Sequence, residues 1–265
     1  MVAAPLRISL IGLLSSTVAL TGCGVPITGP WDDPAKQIVA DPATYSSERM
    51  KVGNLSRSVR EKLPQPGTEA LGFKTLKVSA SLHTEGAEGK STDSEVESTY
   101  INDQDDGFVR GITHQTRNGL PYFFSLDLTY RGLAPFIEQS GMTTALRLPG
   151  LERAREIKEW PADVRNVPEH GTFTFEWESM YYFGSSLQMS RRVTCTSGDN
   201  YPASRFMPQV PGQAVDMTCT FFNKNGIETR REKLVYLRTY GIALTVELTQ
   251  ASAKSTVQYK TLVAE

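Results

Sequence analysis

Thr172-Phe173-Thr174-Phe175-Glu176-Trp177-Glu178, running on to Tyr181-Tyr182-Phe183, is the stretch that decides the fold class. Phe173, Phe175, Trp177, Tyr181 and Phe183 fall at alternate positions, with Glu176 and Glu178 opposite. A strand turns successive side chains to opposite faces, so this spacing predicts a β-strand with one apolar and one wet face. The same period recurs on both sides. Leu76, Val78, Ala80 and Leu82 alternate with Lys77, Ser79 and Ser81, and Phe124, Leu126, Leu128 and Tyr130 alternate with Ser125, Asp127, Thr129 and Arg131. Leu187, Met189 and Val193 are in step with Cys195, and Val215, Met217 and Phe221 with Cys219. Ile242 to Leu248 and Val257 to Val263 complete the series.

Turn signals stand between these runs. Asn118-Gly119 and Asn225-Gly226 are strong hairpin dipeptides, and Asp106-Gly107 and Tyr240-Gly241 supply further turns. About ten short strands joined locally read as a mainly β antiparallel sandwich or open half-barrel. Residues 132–171 break the pattern. Ala134 to Gln139 reads as a helical turn and the charge-rich Leu151 to Trp160 as a short helix, fenced by Pro149, Pro161 and Pro168. This helical insert caps, crosses or subdivides the β domain of residues 71–265, and the sequence leaves those alternatives open.

The N-terminal part has a different texture. Arg7 is followed by an uncharged run from Ile8 to Gly22, a short basic region and then an apolar one. The run is too short to favour a spanning helix, which needs about 20 apolar residues. It ends in Leu20-Thr21-Gly22-Cys23. That tetrapeptide resembles the lipobox of bacterial lipoproteins, in which a branched apolar residue and two small residues precede an invariant cysteine. The resemblance covers about two percent of the chain. It implies a signal peptide over residues 1–22, a diacylglyceryl group on the Cys23 sulfur, and cleavage just before Cys23. Gly24 stands where inner-membrane retention signals of enterobacteria-like lipoproteins usually have Asp. The resemblance therefore implies an outer-membrane anchor facing the periplasm, or the outer face of the cell membrane in a monoderm source. Two or more acyl chains, at about 0.8 kcal/mol per buried CH₂, make a stable tether where one is marginal.

Residues 23–70 then read as a lipidated N-terminus and a proline-rich spacer, on the order of 40 Å long as a random coil. One helical stripe is present in it, at Val52, Leu55, Val59 and Leu63. Of the three cysteines, lipidation consumes Cys23. Cys195 and Cys219 remain as a pair on the apolar faces of neighbouring strands. In an exporting compartment they suit a structural disulfide, contributing roughly 3–4 kcal/mol.

The whole chain carries 28 Lys and Arg against 29 Asp and Glu; losing Arg7 with the signal leaves 27 against 29, a net charge of −2. That balance gives no basic face for nucleic acid. His83, His114 and His170 are scattered without metal-ligand spacing. The acids Asp103, Asp105 and Asp106 resemble a calcium loop only superficially, because His114 stands at the twelfth position where the loop needs Glu. No nucleophile elbow, zinc-protease helix or phosphate loop occurs. The expectation is thus a non-enzymatic binding or scaffolding module of the envelope, with no cofactor and no metal, held to the membrane by its lipid. Its partner would be another envelope protein or a lipid, met through sheet edges and loops. The alternatives are a carrier of a lipid or other hydrophobic ligand, with Phe173, Phe175, Trp177, Tyr181 and Phe183 as candidate lining, and a hydrolase of unrecognised type.

Overall fold

In a computed structural model the described residues are 38, 40–86, 89–145, 149–161, 164–183 and 185–265. Cys23 and the side chain of Phe183 lie outside them. Twelve strands follow one another: β1 (Thr75–Gly86), β2 (Ser91–Ile101), β3 (Phe108–Arg117), β4 (Leu120–Tyr130), β5 (Ala134–Met142), β6 (Leu151–Glu159), β7 (Thr172–Phe183), β8 (Ser185–Pro202), β9 (Gln213–Phe222), β10 (Glu228–Leu237), β11 (Ile242–Gln250) and β12 (Ala253–Ala264). Each pairs antiparallel with its sequence neighbours, and β12 returns to β1, so the sheet closes into a barrel. The expected sandwich or half-barrel of about ten strands is corrected to a closed barrel of twelve.

Two of the added strands come from the expected helical insert. Ala134–Met142 and Leu151–Glu159 are β5 and β6. The helical reading of β6 has a definite cause. Leu151, Ala154 and Ile157 are buried at a spacing of three, as on a helix face. The ladder with β7 is interrupted by irregularities between Ala154 and Glu156 and between Ile157 and Glu159. The first bulge inserts one residue and turns a period of two into the spacing of three from Ala154 to Ile157, whereas Leu151 and Ala154, three apart in a regular stretch, lie on opposite faces and are both buried.

Two joints in the closed sheet are thin. β5 meets β6 only at Ile137–Arg153 and Glu138–Glu152, and β11 meets β12 only from Glu247–Thr256 to Gln250–Ala253. The barrel is therefore two six-stranded halves joined near the hairpin ends of those strands. At the opposite end the halves are clasped by their last turns. Ala243 N donates to Arg131 O at 2.8 Å, and Arg131 Nη1 donates to Gly241 O at 3.1 Å. Gly132 has φ +71°, and a Cβ there would lie 2.3 Å from the Ala243 carbonyl oxygen.

The N-terminal segment closes the first joint. Asp41 caps helix α1 (Pro42–Arg49), its Oδ1 accepting from Thr44 N, and Ser56 caps the short α2 (Arg57–Arg60). Ser56 Oγ and Ser58 Oγ donate to Arg155 O, and Lys62 Nζ to Ile157 O, beyond the last β6 residue that β5 pairs. Met50, Leu55, Val59 and Leu63 are buried in one cluster with Ile112, Leu126 and Leu128 of the barrel wall. Residues 42–63, expected as spacer, are instead a packed flap. The stripe Leu55, Val59, Leu63 is real, but it runs through two short turns, as Gly53-Asn54 and Pro64 require.

The disulfide joins Cys195 and Cys219, directly opposite in the β8–β9 ladder with Cα atoms 4.0 Å apart. Both are buried, at 0% and 1% exposure. Asn118 and Gly119 take positive φ, 52° and 76°, as a two-residue hairpin of type I′ demands.

Candidate functional site inside the barrel

Inward and outward faces follow from the register. Val78, Ser98, Thr113, Asp127, Thr245 and Tyr259, from six different strands, line one cavity of about 240 Å³. Only the inner face of a closed sheet brings such residues together. On β4 this inverts the simple expectation, because the wet face (Asp127, Thr129) looks into the barrel. Its apolar face (Leu126, Leu128) lies outside, under the flap. On β1, β2 and β12 the outward residues are polar: Lys77, His83, Asp93, Glu95, Thr256 and Lys260. Cross-strand pairs run over this wall, Lys260 Nζ to Glu95 Oε2 at 2.5 Å and His83 Nδ1 to Asp93 Oδ1 at 2.7 Å.

The lumen is sealed at one end and open towards the hairpins. Along the inner face of β1, exposure is 0% at Leu76, 5% at Val78 and 1% at Ala80, while Leu82 is half-buried. The seal is an apolar plug, in which Leu71, Phe73, Ala203, Met207 and Val210 from the connections pack on Leu76, Val109 and Leu262.

Among the described residues, six charged groups face the interior. Arg191 Nε and Nη2 donate to Glu152 Oε1 and Oε2 at 2.8 and 2.5 Å, and Ser179 Oγ also donates to Glu152 Oε1. Burial would push the Glu152 carboxyl up, but Arg191 overrides it and holds it low. Arg230 Nε sits 2.9 Å from Glu232 Oε1, with its guanidinium 3.8 Å from the centre of the Phe221 ring. Arg191 and Arg230 are therefore interior ion-pair members. The remaining two are Asp127 and Glu138, directly opposite each other on β4 and β5. Neither has a salt-bridge partner among the described residues. Burial, reinforced by the Glu138 charge, pushes the Asp127 carboxyl up to about 7, and the Gly111 backbone N–H offsets this only partly. Asp127 Oδ1 and Thr129 Oγ1 are both shut off from solvent with no protein hydrogen-bond partner. A Cβ on Gly111 would lie 2.4 Å from Asp127 Oδ1, so glycine makes the room that this carboxyl occupies.

The aromatic row of β7 is placed mostly in packing. Phe175 and Trp177 are 0% and 2% exposed. Trp177 stacks on Phe136 with centroids 5.4 Å apart, Phe175 meets Trp160 edge-on at 5.4 Å, and Phe173 meets Phe175 at 5.9 Å. Tyr181 OH accepts from Gly150 N. Trp177 borders a side chamber of about 120 Å³ beside Glu138 and Arg191. Sequence reasoning missed the true lining because it sought an apolar row. The signal was there as the polar positions Ser98, Thr113, Asp127 and Thr129 on otherwise apolar strands.

The other candidates are accounted for locally. Asp103 accepts two bonds from Arg110, Asp105 pairs with Lys74, and Asp106 Oδ1 accepts from Phe108 N. These acids are thus spent on the β2–β3 turn. Among the described residues no three His, Cys, Asp or Glu side chains are grouped to hold a metal ion, and no helix is long and apolar enough to cross a membrane.

No family model matches this chain, and no curated protein matches it. Among solved structures it is similar to a beta-barrel-like protein of the domain of unknown function DUF1849 from Brucella abortus. That likeness has 9% identity and a TM-score of 0.45, covering 74% of this chain and all of the other. It is also similar to a DUF1329 family protein from Desulfovibrio piger ATCC 29098, at 10% identity and a TM-score of 0.36, covering 73% of this chain and 86% of the other. Neither likeness says anything about activity.

Proposed function

We propose that this chain is a lipid-anchored, non-enzymatic binding protein of the bacterial envelope that takes up a small ligand inside its barrel. The observation that carries the reading is the cavity of about 240 Å³, lined from both halves of the sheet and including three polar atoms without a hydrogen-bond partner among the described residues, Asp127 Oδ1, Thr129 Oγ1 and Arg230 Nε. Buried polar groups without partners are costly, on the order of 1–3 kcal/mol each, and a ligand or water that satisfies them recovers this. Size sets the ligand. At roughly 30 Å³ for each water-sized group, the space takes about eight such groups. A two-chain lipid is far too large, which turns the hydrophobic-carrier alternative towards a small amphipathic molecule. Strand addition by a protein partner is disfavoured over most of the sheet, since ten of the twelve joints are long ladders and the flap covers the β5–β6 gap.

The anchor rests on the lipobox at Leu20 to Cys23 and on the buried disulfide, which suits an oxidising compartment outside the cytoplasm. The charged outer wall of β12, β1 and β2 suits water rather than acyl chains, because a membrane barrel turns an apolar band outwards. The barrel then hangs from its acyl chains instead of spanning the bilayer. A hydrolase would find its acids in the same lumen, at Asp127 and Glu138. Binding is the stronger reading because the other four charged groups are already locked in ion pairs.

Two measurements test this. Native mass spectrometry of the purified chain should reveal a co-purifying molecule of small mass, released on unfolding; a chain that is empty and takes up no small amphiphile would count against the reading. Mass analysis of membrane-extracted protein should show the acyl modification, lost in Cys23→Ala together with membrane association.

A further inference from the structure

We propose that the lumen selects a small amphipathic cation, such as a primary alkylammonium ion, its charged head between Asp127 and Glu138 and its apolar body along Val96, Val257 and Phe221. This deepens the binding reading above and rests on it. The cavity is of ligand size and opens at the hairpin end. Its charges then decide the class. Arg191 is held by both oxygens of Glu152, and Arg230, which lines the cavity with a free Nε donor, has its charge countered by Glu232 at 2.9 Å, so each cation is already matched by one acid. What remains is acidic. Asp127 and Glu138 stand opposite each other in the ladder, where inward side chains lie with Cβ atoms about 5 Å apart. Like charges at that spacing repel, and one cation between them relieves both.

The hydrogen-bond chemistry agrees. Asp127 Oδ1 can accept from a donor, as can Thr129 Oγ1, and neither has one. An ammonium group offers three donors and no acceptor and can satisfy both, whereas a carboxylate ligand would bring a third negative charge to Asp127 and Glu138. Tyr100 and Tyr259 line the same space and bring aromatic faces, which also suit a cation. The body of the cavity, from Val96, Val257 and Phe221, is apolar and fits a short chain rather than a bare metal ion.

Calorimetric titration of the purified full chain with three probes of one length, hexylammonium, hexanol and hexanoate, tests the inference. Hexylammonium should bind, hexanol at least ten-fold more weakly, and hexanoate not measurably. Glu138→Gln and Asp127→Asn should each weaken hexylammonium about ten-fold while leaving hexanol unchanged. Their far-ultraviolet circular dichroism should match that of the parent. Thr129→Val, which removes an acceptor without touching a charge, should weaken hexylammonium less than either. Hexanol or hexanoate binding as tightly as hexylammonium would overturn the cation selectivity while leaving a ligand-binding lumen in place. Hexylammonium binding undiminished in both acid variants would overturn the assigned head site. Failure of all three probes would sink the lumenal reading itself.

Discussion

Asp127 is the residue on which most of the chemistry turns, and its titration has a definite sign. A carboxyl ionises near 3.9 in an unfolded chain, and burial beside Glu138 lifts it to about 7 in the barrel. Between those values the folded chain holds a proton that the unfolded chain has lost. This residue therefore lowers stability progressively as pH rises through that window, with the full penalty above 7. Asp127→Asn should raise the unfolding free energy by roughly 2 kcal/mol at pH 8, discounted for water in the lumen, and change it little at pH 4. Urea denaturation at both values checks this, and an equal effect at the two would refute it. Gly111→Ala should drive the carboxyl from its place and destabilise at either pH, since its Cβ would lie 2.4 Å from Oδ1. In the sequence Asp127 is simply one of the polar residues of an alternating strand. Periodicity separates the two faces but carries no sign saying which is outside, so it could not show that this carboxyl is interior.

At the scale of elements, the flap and β6 explain each other. β6 leaves β5 after Arg153, and the serines and Lys62 of the flap take over the carbonyls beyond it. The apolar outer face of β3 and β4 needs a cover, which Met50, Leu55 and Val59 supply. Leu55→Ala should therefore cost about 2–4 kcal/mol, as deletion in a packed core does. Arg57→Ala, one turn away and exposed with only a solvent-screened pair to Glu61, should cost under about 0.5 kcal/mol. Chemical denaturation of the two variants distinguishes a packed flap from a free spacer, which would show no difference. The helix stripe of the flap was legible because its spacing is local. Its docking was not, since nothing local tells a stripe what it meets. β6 misled because burial on both faces at Leu151 and Ala154, and one bulge before Ile157, gave a strand a helix-like burial rhythm. The cysteine pair was legible, being in step with apolar faces on adjacent strands. Changing both Cys195 and Cys219 to Ala should cost about 3 kcal/mol, less any gain from relaxed packing, read as a lowered urea midpoint.

The whole molecule depends on closure. A half-barrel needs a covering layer or a partner, whereas a closed sheet needs only a plug and two sealed joints. The strands and most hairpins could be read from residues two and three apart, but closure rests on β1 meeting β12 across the entire chain. No pattern in a single sequence encodes that contact. The clasp between the two last turns has the same long range, and it makes a sharp prediction. Gly132→Ala, strained by positive φ and pressed on the Ala243 carbonyl, should lower the melting temperature by several degrees. Gly119→Ala, with equally positive φ but open space around it, should cost only the backbone strain.

The central claim is that this barrel encloses a site rather than a filled core, and crystals grown with 6-bromohexylamine test it most directly through the bromine's anomalous signal. The expected result is a bromine peak inside the sheet near Val96, Val257 and Phe221, with the nitrogen between Asp127 and Glu138. A lumen filled by its own side chains, with bromine only on the outer wall or nowhere, would contradict the account.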